Sequence, residues 1–140
     1  MNMLFYQSPF LKIEYQPENK LLITTWNVQD INFSDDDYKN EVLNYVRAVE
    51  RYDVKAIIVD TRNYRFPLTP SLNQWTVENI TPKLAANGVK RMAYVMPTDV
   101  LSKLGVELLA STAQTKGTII RQMFDDYEQA YNWAIAANQN

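Results

Sequence analysis

Apolar and polar residues alternate along Phe10-Leu11-Lys12-Ile13-Glu14-Tyr15, the period-two pattern of a strand with one buried face. Gln16-Pro17-Glu18-Asn19 carries turn chemistry, and Lys20-Leu21-Leu22-Ile23-Thr24-Thr25-Trp26 reads as the return strand of an antiparallel hairpin. The period then changes. Tyr38, Val42, Tyr45, Val46, Val49 and Tyr52 recur at helical spacing and predict one buried stripe. The start of that helix is marked by Ser34 as N-cap, Asp37 at the capping-box position and Phe33 placed to staple onto Tyr38. Next, Ala56-Ile57-Ile58-Val59 forms a continuous apolar run that stops at Asp60. Such a run reads as a strand buried on both faces, as in a parallel sheet covered by helices.

The alternation of periods continues to the end of the chain. Thr69 is placed to cap a second helix, with Pro70 in its first turn, where a missing N–H is harmless. Its inner face reads Leu72, Trp75, Thr76, Ile80 and Leu84. Pro82 should kink it or restart it after Thr81, and Asn87-Gly88 should end it. A strand is expected over Val89–Met96. Pro97-Thr98-Asp99 leads into a third helix carrying Leu101, Leu104, Leu108 and Leu109. After Gly117 a short strand runs from Thr118 to Phe124, and Asp125, three residues before Glu128, caps a last helix holding Tyr127, Ala130, Tyr131 and Ala134 inward. An N-terminal β-hairpin followed by alternating helices and strands predicts an α/β fold with a mixed, mainly parallel sheet of about five strands and four helices. Residues 1–140 carry no linker-like stretch and read as a single domain.

Composition then narrows the chemistry. There is no histidine and no cysteine among 140 residues, so Ser-His-Asp catalysis, thiol nucleophiles, disulfides and the commonest zinc ligands are excluded. Acid–base chemistry would fall to carboxylates, Lys or Tyr. The net charge of −2 and the lack of a basic block give no nucleic-acid surface. No apolar run reaches membrane-spanning length, so the expectation is a cytoplasmic protein without integral membrane association. Asp35-Asp36-Asp37 resembles a metal cluster only on paper. Successive helical side chains diverge by about a hundred degrees, so favourable interaction with the helix dipole explains the run better. The isolated glycines form no phosphate-cradling loop. No catalytic residues, metal or cofactor are expected.

The hairpin ending Thr24-Thr25-Trp26, the strand ending Val59-Asp60 and the terminal Met123-Phe124-Asp125-Asp126-Tyr127-Glu128-Gln129-Ala130 resemble the STAS-like group, the fold of the anti-sigma factor antagonists. The likeness is to a branch of small stand-alone bacterial proteins, and it covers nearly the whole element order. The resemblance implies a regulatory, protein-binding role. In the antagonists a serine in an Asp-Ser-Ser-Gly-like loop, at the start of the helix after the strand that ends in Asp, is phosphorylated. Asp60 stands at that strand end. Thr69 and Ser71 lie near the helix start but outside any Asp-Ser-Ser-Gly context, and Thr69 reads as a plain N-cap.

Ligands of such sheets meet the loops beyond the strand ends. Arg62-Asn63-Tyr64-Arg65-Phe66 should therefore approach Asn27-Val28-Gln29-Asp30 and Pro97-Thr98-Asp99, making a shared rim of Asp60, Arg62, Tyr64, Arg65, Thr69, Ser71, Trp75 and Asp99. Two arginines beside a capped helix start could hold an anion or carboxylate. Against that, Arg62 could pair with Asp60 or Asp99 and leave Arg65 solvated. Trp26, Trp75 and Trp133 read first as core, with Trp75 closest to the rim. The leading expectation is a non-catalytic regulatory or protein-interaction module, with a protein partner or a homo-oligomer. The alternative is a small-molecule or lipid-binding domain, similar in architecture to CRAL-TRIO carriers, with an apolar cavity near Trp26, Trp75 and Met96 gated by Arg62. An enzyme would need Asp60 or Asp99 with a raised pKa beside Tyr64 or Lys103.

Overall fold

The computed structural model describes residues 1–29, 32–66 and 68–136, the side chains of 113–116 excepted. It has an α/β fold on a six-stranded sheet whose strands lie in chain order. β1 (Met3–Gln7), β2 (Leu11–Gln16) and β3 (Leu21–Val28) pair antiparallel, and β4 (Ala56–Tyr64), β5 (Arg91–Val95) and β6 (Ile120–Phe124) continue from β3 in parallel. α1 (Asp35–Arg51) joins β3 to β4. α2 (Pro70–Asn79) and α3 (Thr81–Ala86) join β4 to β5, α4 (Val100–Lys116) joins β5 to β6, and α5 (Tyr127–Ile135) follows. No helix among the described residues is long and apolar enough to cross a membrane.

The sheet holds one strand more than the hydrophobic pattern announces. β1 has no fully buried residue, so no apolar period marks it, and main-chain pairing with β2 recruits it. Its end is tied to α1 through Glu41, a buried carboxylate that accepts hydrogen bonds from Tyr6 (3.1 Å) and Ser8 (2.9 Å). Helical start signals behave as local chemistry dictates. Ser34 and Asp37 close a reciprocal capping box, and Thr69 accepts the Leu72 N–H. The second helical segment breaks at Ile80, because Pro82 has no N–H to continue it. One cap is corrected. Asp126 rather than Asp125 starts α5, since its carboxylate accepts the Gln129 N–H at 3.1 Å.

Strand alternation divides the core. Leu22, Trp26, Ile57, Val59, Met92 and Tyr94 face α1–α4 in the main core, while Leu21, Ile23, Ala56, Ile58, Ala93 and Val95 face Ala130 and Ala134 of α5. β4 is thus covered on both faces, as its unbroken apolar run implies. α4 turns an unexpected side inward. Of its leucines only Leu109 is buried, whereas Leu101, Leu104 and Leu108 are 65%, 57% and 44% exposed. The buried side is Ser102, Val106, Leu109 and Ala110. Gly105 shows why: a Cβ there would lie 2.9 Å from the Leu68 backbone nitrogen, so the small-residue side lets α4 come close.

Candidate functional site

The end of β4 decides where the expected site residues go. Thr25 pairs with Asp60 but Asn27 pairs with Asn63, so β4 carries one extra residue between these pairs. Such a bulge shifts the in/out alternation by one. Asp60 at its start and Arg62 within it point to the α5 side. After it, Tyr64 joins the opposite, main core and lies 2% exposed beside Trp26 and Phe66.

Asp60 and Arg62 form a two-pronged ion pair, with Nε to Oδ1 at 3.0 Å and Nη2 to Oδ2 at 2.7 Å, and the guanidinium sits over the Tyr127 ring at 5.3 Å. The hydrogen bonds that Arg62 donates to Asp60 raise the Arg62 pKa against the opposing effect of burial. The other expected residues separate. Arg65 is exposed, its N–H bonds to Val28 O, and its charge acts on Asp99. Asp99 caps α4, and the N–H and hydroxyl of Ser102, with Arg65 adding to them, hold its carboxyl below the usual range. Thr69 and Ser71 are exposed at the start of α2, and Trp75 is half-buried under Lys39. The structure therefore brings Arg65, Asp99 and the Val28 carbonyl into one neighbourhood, but sends Arg62 to the other face and Tyr64 into the interior. Asp30 lies outside the described residues.

What the sequence reading anticipated only at Trp26 is a cavity between the sheet and α1–α4. Its volume is about 50 Å³. Neither Trp75 nor Met96 lines it, and Arg62 is across the sheet from it. Its titratable walls are Tyr38, Tyr45, Tyr64, Tyr94 and Arg121, with no carboxylate among the described lining residues. Trp26 donates to Tyr45 (2.9 Å), Tyr45 to Thr24 (2.6 Å), Tyr38 shares a hydrogen bond with Thr76 (3.0 Å), and Arg121 donates to Tyr94 and Thr81. The Tyr64 hydroxyl has no hydrogen-bond partner among the described residues. Burial drives the phenols of Tyr38, Tyr45 and Tyr64 far above their ordinary value, so each is a neutral hydroxyl at working pH. On α2, Asn73 is buried, and neither of its amide atoms has a partner among the described residues. Nothing in the local pattern distinguishes Tyr64 or Asn73 from an ordinary core or cap residue.

The second feature is an apolar surface. Val100, Leu101, Leu104 and Leu108 run along the outer side of α4, and β6, the edge strand that packs against α4, adds Met123 on the same side of the sheet, while its exposed Ile120 lies on the α5 side. The chain matches no family model, no curated protein and no solved structure.

Proposed function

We propose that this chain is a non-catalytic protein-interaction module that docks through α4 and the edge of β6. The observation that carries this reading is the leucine stripe. Isolated exposed leucines are ordinary, but a helix with apolar residues on both sides is half of a contact. On the α4 side of the sheet Val100, Leu101, Leu104, Leu108 and Met123 are each 43–70% exposed, and a standard interface takes ~800 Å² from each partner. The occupant we assign is a second copy of the chain. β6 leaves one side of its backbone unpaired, and a two-fold arrangement would pair β6 with β6 while the two leucine stripes meet. Absence of a cavity carboxylate among the described residues, and phenols held neutral, leave no evident general base, which favours binding over turnover. The STAS-like element order supports the same reading. Since Asp60 already engages Arg62, the α4 face replaces the expected rim around Arg62, Arg65, Thr69 and Ser71 as the docking surface.

Sedimentation velocity tests this reading. The expected result is a species of twice the 16.3 kDa chain mass, converted to monomer by Leu104→Glu with Leu108→Glu at unchanged far-ultraviolet circular dichroism. A chain that stays monomeric up to about 100 µM, or a dimer untouched by the double substitution, would refute it. Capture of a different protein by a monomeric chain would also overturn the second copy as occupant.

A further inference from the structure

The two edges of the sheet carry a further inference, which rests on the self-association proposed above and extends to how the two copies pair. The edges are not alike. β1 breaks step with β2 between Leu4 and Tyr6, and a bulge of that kind turns an edge strand away from new partners. β6 keeps an unbroken register with β5 from Ile120 to Phe124 and contains no proline. Its one charged residue, Arg121, reaches inward to Tyr94 and Thr81 instead of guarding the edge. An edge strand left regular in this way is shaped to pair. Because β1 is blunted, the pairing closes at two copies and does not propagate.

Backbone geometry limits how two copies of β6 can meet. The Ile120 N–H donates to Lys90 O, and Phe124 O accepts from the Met96 N–H, each at 2.9 Å. In a parallel ladder alternate residues turn both backbone groups to the same neighbour. Ile120, Gln122 and Phe124 therefore face β5, and the odd-numbered positions face the open edge. A two-fold antiparallel pair must set odd opposite odd, which near the middle of the strand centres it on Arg121, Gln122 or Met123. Side chains choose among the three. Centring on Arg121 puts like charges opposite each other, and centring on Met123 puts Ile120 opposite an aspartate, Asp126. Centring on Gln122 puts Ile120 opposite Phe124 of the partner subunit, twice over. That contact also accounts for apolar exposure on both faces of β6, with Ile120 54% exposed on the α5 side and Met123 43% exposed on the α4 side. A contact through α4 alone would leave Ile120 in water.

We propose that two copies of this chain join their β6 strands antiparallel about Gln122, so that the two six-stranded sheets become one and each Ile120 packs on Phe124 of the partner subunit. The chain has no cysteine, so single introduced thiols report the pairing. The two Gln122 Cα atoms would sit roughly 4.5 Å apart, within disulfide reach, whereas the two Ile120 Cα atoms would be about 13 Å apart along the strands. In an oxidised-glutathione buffer Gln122→Cys should form a disulfide-linked dimer, and Ile120→Cys and Met123→Cys should link at least about tenfold more slowly. The unaltered chain gives a second readout by hydrogen exchange. Protection of the Met123 amide should rise with protein concentration, while that of the Ile120 amide, already bonded to Lys90, should not. Ile120→Ala should weaken dimerisation about three- to tenfold, although it lies across the sheet from the leucine stripe. A dimer that links fastest through Met123→Cys, or that is indifferent to Ile120→Ala, overturns this pairing and leaves self-association through α4 standing. A chain that stays monomeric up to about 100 µM overturns both.

Discussion

Two tyrosines of the same cavity should respond to the same substitution with opposite signs. Tyr64→Phe removes a hydroxyl that is 2% exposed as a residue and has no hydrogen-bond partner among the described residues. Leaving such a group dry costs about 1–3 kcal/mol, so its removal should stabilise the protein by about 1 kcal/mol. Tyr45→Phe removes a hydroxyl that accepts from Trp26 at 2.9 Å and donates to Thr24 at 2.6 Å. It strands the buried indole N–H and should destabilise by about 2 kcal/mol. For a chain of this size 1 kcal/mol corresponds to roughly 3 °C in Tm. Thermal melts by circular dichroism should therefore place Tyr64→Phe about 3 °C above the parent and Tyr45→Phe about 6 °C below it, with urea midpoints in the same order. If Tyr64→Phe loses as much as Tyr45→Phe, the Tyr64 hydroxyl has a partner in solution and the reasoning fails.

Other consequences are sharp enough to measure. Folded-state phenol pKa values raised at Tyr38, Tyr45 and Tyr64 mean that the unfolded chain releases protons first, near pH 10. Stability should hold below pH 10 and fall above it, by about 1.4 kcal/mol per tyrosine at pH 11, or about 4 kcal/mol for the three. Urea midpoints across pH 8–11 check this, and a flat profile contradicts it. Gly105→Ala, which helps most exposed helices, should destabilise α4 by about 1–3 kcal/mol, because its methyl would meet the Leu68 backbone at 2.9 Å. Arg62→Ala should cost about 1–2 kcal/mol, discounted for the exposure of Arg62, by leaving the 4%-exposed Asp60 without its cation. Asn73→Leu should raise the urea midpoint by about 1 kcal/mol equivalent, since both amide atoms it removes are buried and without partners among the described residues.

Much of the fold was legible because its signals are short-ranged. Ser34 and Asp37, Thr69, Asp99 and Pro82 act within one helical turn, and each cap or break except that of α5 lies where residue chemistry places it. At α5 two adjacent aspartates compete, and backbone geometry favours Asp126. β1 escaped notice because it is held by pairing rather than by a buried face. The candidate site was legible in its parts and not in its assembly. Asp60, Arg62, Tyr64 and Arg65 sit at a strand end as expected, but one extra residue in β4 separates Arg62 from Tyr64 by the full thickness of the sheet.

The sequence by itself determined the order of strands and helices from β2 onward, the capped starts of α1 and α2, and the two-sided burial of Ile57 and Ile58, because periodicity and capping depend on neighbours a few positions away. Tertiary structure alone decided three things: the turn of Tyr64 into the cavity, the choice of the Gly105 side of α4 over its leucine side, and the exposure of β6 as a sheet edge. Each depends on which backbone approaches across space, and a helix with two apolar sides or a strand with one surplus residue leaves that choice open until the partner element arrives.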